Sequence, residues 1–190
     1  MADNNNLIND NNEIILGSGE LYMVTFDGKA IPDDATIETN GNLAGNIKGG
    51  AKLDYSTESQ TVSSDNGRVK ATIIKEETVK FTTGLITWCQ NWLKALIPTA
   101  RIDATYNKGI RYKIGGLAHQ NNERYLLRFV HTKRDGRKLR LTVTGVNTGS
   151  VGLSFDPENP TTIDAEITAE PLDDEGTLVY YDAELEKATA

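Results

Sequence analysis

Apolar and polar positions alternate over an unusually long stretch in the middle of the chain. One side of the alternation reads Ile47, Gly49, Ala51, Leu53 and Tyr55, the other Lys48, Lys52, Asp54, Ser56, Glu58 and Gln60. The pattern then returns, with Val69, Ala71, Ile73, Val79 and Phe81 on one side and Lys70, Thr72, Glu76, Thr78 and Lys80 on the other. Successive strand side chains point to opposite faces, so both arms read as strands with one apolar and one wetted face. Lys75 and Glu77 interrupt the apolar side of the second arm, and Ile74 the polar side. Asn66-Gly67 marks the turn. A two-residue turn there would set apolar positions opposite polar ones, because a slip of one residue flips every side chain. A longer loop over Ser63 to Gly67, with Val62 opposite Arg68, keeps the faces together. The expected element is a β-hairpin of about fifteen residues per arm, against a usual strand of ~5–6. Its polar face looks into water and its edges seek partners.

The same pattern reading places the other elements. Leu21 to Phe26 reads as a strand, Asp27-Gly28 as a turn, Ile31 to Asp34 as a loop and Thr36 to Thr39 as a weak strand before the turn at Asn40-Gly41-Asn42. After the hairpin, Leu85, Cys89, Trp92 and Leu96 recur at helical spacing, with Trp88 and Leu93 widening the stripe. The spacing predicts a helix over Gly84 to Leu96, capped by the Thr83 hydroxyl and ended by Pro98. That helix is expected to pack on the sheet as the keystone of the core. Beyond it, Arg111 to Ile114 is a short strand, Arg124 to Lys133 and Lys138 to Val146 form a second hairpin around Asp135-Gly136, and Val151 to Phe155 is short. Thr162 to Ala169 and Thr177 to Tyr181 flank a loop containing Pro171 and Gly176. Many short strands and one helix argue for a mainly β fold, a sandwich or barrel with a packed helix. The expected organisation is a mobile N-terminal arm over 1–13, rich in Asn and Asp, one β domain over 14–182, and a polar tail over 183–190.

Charge changes this picture more than composition does. Residues 1–67 carry 3 Lys or Arg against 11 Asp or Glu, residues 68–140 carry 16 against 5, and residues 141–190 carry 1 against 11. Such blocks either neutralise one another within a subunit or mark complementary surfaces on neighbouring subunits. The candidates for contacts between subunits are Lys133, Arg134, Arg137 and Lys138 on one side and Asp173, Asp174 and Glu175 on the other. The single cysteine, Cys89, cannot form an intrachain disulfide, which fits folding in a reducing cytoplasm. No signal peptide is recognised, and no apolar run is long enough to span a membrane.

Templates for catalysis find nothing to match. Gly17-Ser18-Gly19 lacks the spacing of a nucleophile elbow, and no phosphate-binding glycine loop occurs. His119 and His131 stand apart from any metal-ligand spacing. Cys89 falls on the apolar stripe, as a core thiol does. Asp173-Asp174-Glu175 has no EF-hand spacing around it. Neither a catalytic residue, a cofactor nor a metal is expected. The basic stretch His131 to Arg140 attracts phosphate in principle, but it straddles a turn, aromatics are sparse around it, and the chain is acidic overall.

Six stretches resemble a known family. Ile15-Leu-Gly-Ser-Gly-Glu-Leu-Tyr22, Ile31-Pro32, Gly45-Asn-Ile-Lys-Gly-Gly-Ala-Lys-Leu-Asp-Tyr55, Thr83-Gly-Leu-Ile-Thr-Trp88, Arg128-Phe-Val-His131 and Ile163-Asp-Ala-Glu166 are similar, in order and spacing, to the tail tube (major tail) proteins of long-tailed phages and prophages of low-GC Gram-positive bacteria. The resemblance implies a β-sandwich of roughly orthogonal sheets with a flanking helix. It implies hexameric rings stacked into a tube, each subunit giving a long hairpin to a continuous inner barrel through which DNA passes without specific binding. Tail terminator, tape measure and baseplate-type proteins would meet the tube. The protein would be built in the host cytoplasm and reside in the virion tail, with no membrane contact. Lys48, Lys52, Asp54, Ser56, Glu58, Gln60, Lys70, Thr72, Glu76, Thr78 and Lys80 would face the lumen, although four lysines depart from a uniformly negative conduit.

The sequence therefore leads to a structural tube subunit rather than an enzyme. A monomeric β-sandwich binding carbohydrate or protein is the alternative, and a nucleic-acid-binding protein resting on residues 131–140 is a third.

Overall fold

In the computed structural model, the described residues are 19–47, 50–66, 68, 70–85, 92–121, 123–153 and 163–184. The N-terminal arm, Lys48, Trp88, Cys89 and the last residues of the expected C-terminal tail lie outside them.

Glu20–Phe26 (β1) is buried on both faces. Leu21 and Met23 enter the main core, while Tyr22 and Phe26 turn to a smaller cluster on the opposite side. The second cluster exists because Asp34–Ile37 forms a short helix (α1) instead of the expected strand. The Asp33 carboxylate accepts the Thr36 N–H at 2.9 Å, a side-chain cap that outweighs the β preference of Thr36 and Ile37. Ile37 is fully buried against Tyr22, Phe26, Leu126 and Val130.

Leu43–Asn46 (β2) pairs with β1. The long hairpin follows as Lys52–Ser63 (β3) and Lys70–Thr82 (β4). Its first arm starts at Lys52 rather than Ile47, because Ile47 is held elsewhere. Ile47 bridges Leu85, and Leu85 in turn bridges Ile163.

That bridging corrects the expected helix. Leu85 is extended and 1 % exposed, and the Thr83 hydroxyl donates to the Ile163 carbonyl and accepts from the Ala165 N–H, each at 3.2 Å. Thr83 is thus part of the sheet and caps no helix. The described helix is Leu93–Leu96 (α2), which begins after Trp92 and stops at Ile97. Leu96 and Ala95 enter the main core, and Trp92 packs edge-on against Tyr125 at 6.4 Å.

Arg101–Ile102 (β5) and Tyr112–Lys113 (β6) make a small separate sheet. Arg124–Thr132 (β7) and Lys138–Leu153 (β8) form the expected second hairpin. The strand read as Val151 to Phe155 is partly the end of β8. Ile163–Glu170 (β9) and Val179–Ala183 (β10) complete the set. Asp182 and Ala183 pair with Arg140 and Leu139, so the expected tail boundary falls inside β10.

The fold is mainly β, built around one antiparallel sheet with the order β2-β1-β7-β8-β9-β4-β3. The long strand β8 organises it. One edge of β8 pairs β7, and the other pairs β10 over Leu139–Val143 and then β9 from Thr144 onward. Gly145 lies at that handover. A Cβ there would run into the Thr168 carbonyl oxygen, so only glycine lets β9 approach. The bridges through Ile47, Leu85 and Ile163 tie the β2 end of the sheet back to β9. Leu21, Met23, Phe81, Leu85, Leu127, Val143, Ile163 and Ile167 are buried together inside this closure.

Candidate functional site

The hairpin grows out of the sheet and leaves it. Only Lys80, Phe81 and Thr82 of β4 pair with a body strand, opposite Thr168, Ile167 and Glu166 of β9. Continuing that register sets Thr78 level with Glu170, where β9 ends. Residues Lys70–Glu77 therefore have no body strand paired beside them, a length of roughly 25 Å at the usual strand rise. Beyond Thr78 every residue of β4 is exposed, and so is every residue of β3 except Asp54. Tyr55 is 60 % exposed, and Ile73, Ile74 and Val62 are all more than half exposed. The odd-numbered apolar face is buried only at the root, at Val79 and Phe81.

The register corrects the face assignment as well. At the root, Lys52, Asp54, Ser56 and Glu58 stand opposite Thr82, Lys80, Thr78 and Glu76, as the alternation predicts. A β-bulge then leaves Lys75 unpaired, so Ser59 meets Ile74, Gln60 meets Ile73, Thr61 meets Thr72, Val62 meets Ala71 and Ser63 meets Lys70. The Thr61 and Thr72 hydroxyls lie 3.2 Å apart, which fixes the pairing. One extra residue flips everything beyond it. Lys70 and Thr72 therefore leave the face of Asp54 and Glu58, and Ile73 and Ala71 join it beside Gln60 and Val62. The breaks in the pattern at Ile74, Lys75 and Glu77 were the signal of this bulge. Ser63 pairs Lys70 and Val62 pairs Ala71, so the Val62–Arg68 pairing does not form.

Charges on the ribbon balance but are not all paired. Residues 52–82 hold five Lys or Arg and five Asp or Glu. Lys52 pairs Asp54 at 2.8 Å, and Lys80 pairs Glu166 at 2.8 Å. Glu58 and Glu76 face each other across the strands with no cation on either among the described residues, an arrangement that weakens an isolated ribbon.

The basic and acidic stretches sit at opposite ends of the sheet. The turn after β7 adjoins Lys138, while the loop after β9 adjoins Thr144, about 20 Å away along β8. They do not meet within the chain, and several of their charges are committed internally. Arg137 pairs Asp135 within the turn at 2.5 Å, and Lys138 reaches Glu38 at 2.6 Å. Arg134 is exposed, as are Asp174 and Glu175. Asp173 organises its own loop. It accepts from the Tyr180 hydroxyl at 2.6 Å and from the Thr177 and Glu175 N–H groups, which hold its carboxyl at about 2.

Sequence reasoning missed the charged cluster under α1. Arg140, one-tenth exposed, pairs with Glu38, with Glu184 at 2.5 Å and with Asp34 at 3.4 Å. Arg128 donates to Asp34 and to the Thr142 hydroxyl. Burial pushes Glu38 up, but hydrogen bonds from Arg140 and Lys138 outweigh it and leave its carboxyl below the ordinary range. The cations belong to the basic middle block and the anions to the flanking acidic blocks, so in this cluster the blocks neutralise one another inside the chain.

No protein-family model and no curated protein matches this chain. Among the described residues no group of acids, histidines or cysteines is arranged to hold a metal, and no helix is long and apolar enough to cross a membrane. An open groove of about 730 Å³ lies at the acidic end, lined in part by Lys29, Arg124, Asp173 and Tyr180.

Proposed function

We propose that the chain is a structural subunit of a phage tail tube, forming stacked hexameric rings around a lumen that conducts DNA, and that it catalyses nothing. The observation that carries this reading is the ribbon: two strands, apolar side chains on both faces, and no body strand beside them past Thr78. A lone two-stranded ribbon is at best marginally stable in water. Neighbouring ribbons joined around a ring would give its open edges partners and cover its apolar root. The closure through Ile47, Leu85 and Ile163 supports the finer fold, a tail-tube sandwich with α2 at its flank. In this reading Lys52, Asp54, Ser56, Glu58, Glu76, Thr78 and Lys80 line the lumen, a wall of mixed sign that would neither grip nor strongly repel phosphate. Tail terminator, tape measure and baseplate-type proteins are the further partners.

Concentrated protein viewed by negative-stain microscopy, with light scattering alongside, tests this. Rings or tubes are the expected result. A persistent monomer that binds saccharide or peptide in the groove of Lys29, Arg124 and Tyr180 would replace the tube with the binding-module reading.

A further inference from the structure

The main core opens to water beside the root of the ribbon. Gly50 and Ala51, which lead into β3, form an apolar hollow of about 240 Å³ with Phe129, Leu139, Leu141 and Tyr181. Phe129 stands opposite Leu141 across β7 and β8, and Tyr181 stands opposite Leu141 across β10 and β8, so the three share one face of the sheet. That face is the one that holds the core. Ala51, Phe129 and Leu141 pack against the main core yet are only partly buried, and Tyr181 is 59 % exposed. Apolar side chains that continue a core and stay wet are a surface that a further apolar segment gains by covering.

The described chain enters β1 at the rim of this hollow. Glu20 pairs Val130, so the same register sets Gly19 level with His131, which also lines the hollow and stands opposite Leu139. The Gly19 carbonyl accepts the Ile47 N–H at 3.0 Å. A Cβ on Gly19 would strike the Phe129 ring and the Val130 carbonyl oxygen, so the backbone passes directly against that ring. Immediately before Gly19 the sequence reads Ile14-Ile15-Leu16-Gly17-Ser18, three large apolar side chains on a short tether. From β1 across β7 and β8 to β10 is three strand spacings, roughly 14 Å. Five residues span up to ~17 Å, so the run from Ile14 to Leu16 reaches every wall of the hollow.

We propose that Ile14-Ile15-Leu16 occupies this hollow in its own chain, a latch that seals the core beside the root of the ribbon. The tether favours the same chain over a second copy, because so short a link holds the run at an effective concentration on the order of millimolar at any dilution. The contact belongs to the single folded chain and does not depend on the tube reading.

The full chain tests it with the combined variant Ile14→Ser, Ile15→Ser, Leu16→Ser, and with Leu7→Ser, Ile8→Ser as a control farther along the arm. In dilute solution the first should lower Tm by roughly 5 °C, and the control should leave it unchanged. In the parent, amide protons of residues 14–16 should exchange at least ~tenfold more slowly, relative to their intrinsic rates, than those of residues 3–8. Leu141→Ala should lower Tm less in the triple-serine background than in the parent, because its partner is already gone. Unprotected amides over 14–16, or a Leu141→Ala loss that simply adds to that of the serine variant, would overturn the latch. Protection that grows with protein concentration would assign the hollow to a second copy and overturn it too. Should the serine variant fail to fold, the exchange pattern of the parent decides the question by itself.

Discussion

Arg140 shows how much of the tertiary structure rests on one buried cation. It gathers Asp34 and Glu38 from one end of the chain and Glu184 from the other onto β8. Glu38→Gln should cost about 1–3 kcal/mol near neutral pH, the cost of leaving a buried partner underserved, read by urea unfolding. The pH dependence follows from the sign of the shifts. Glu38 and Glu184 are both held below the ordinary carboxylate range, Glu184 chiefly by the Arg140 hydrogen bond. The unfolded chain takes up protons near ~4.3, where the folded chain still resists. The contribution is therefore complete above about pH 6 and is lost as pH falls through the folded values. Glu38→Gln should flatten that acid slope, and an unchanged slope would remove the cluster from the account. Gly145→Ala should destabilise by about 1–3 kcal/mol through overpacking against the Thr168 carbonyl, visible as a lowered Tm.

At the scale of elements, the ribbon divides into a root that belongs to the fold and a tip that does not. Phe81→Ala, at a site 2 % exposed, should cost about 3–5 kcal/mol. Ile73→Glu, at a site 56 % exposed, should change the stability of the unassembled chain by no more than about 0.5 kcal/mol. Equal losses in thermal melts would mean that the tip folds back on the body. Strands β1, β7 and β8 were legible in the sequence because each has a buried face: Leu21 and Met23 in β1, and Leu127 in β7 against Val143 in β8. The hairpin's existence was legible for the same reason at its root. Its register past Glu58 was not, since a bulge shifts the alternation without erasing it, and only Ile74, Lys75 and Glu77 betray the shift. Helical spacing misled at Leu85, whose burial comes from bridging Ile47 and Ile163. The cluster around Arg140 was illegible because its acids come from positions about a hundred residues upstream and forty downstream, a closeness that no local pattern encodes.

For the whole molecule, two features meet: a body whose sheet is tied back on itself, and a ribbon that continues beyond its pairing with β9 with its edges and apolar side chains bare. The body pairs the charges clustered around Arg140, whereas the ribbon leaves Glu58 and Glu76 opposed and Val62, Ile73 and Ile74 wet. In the proposed tube, folding belongs to the body and assembly to the ribbon. The measurement that separates those roles most directly replaces Thr57–Glu77 with an Asn-Gly turn joining Ser56 to Thr78, and compares the two proteins by negative-stain microscopy and light scattering across concentration. The account predicts that the full chain forms rings and tubes, and that the shortened chain stays a folded monomer with a nearly unchanged Tm. A shortened chain that builds the same tubes, or a full chain that stays monomeric at every concentration, would contradict it.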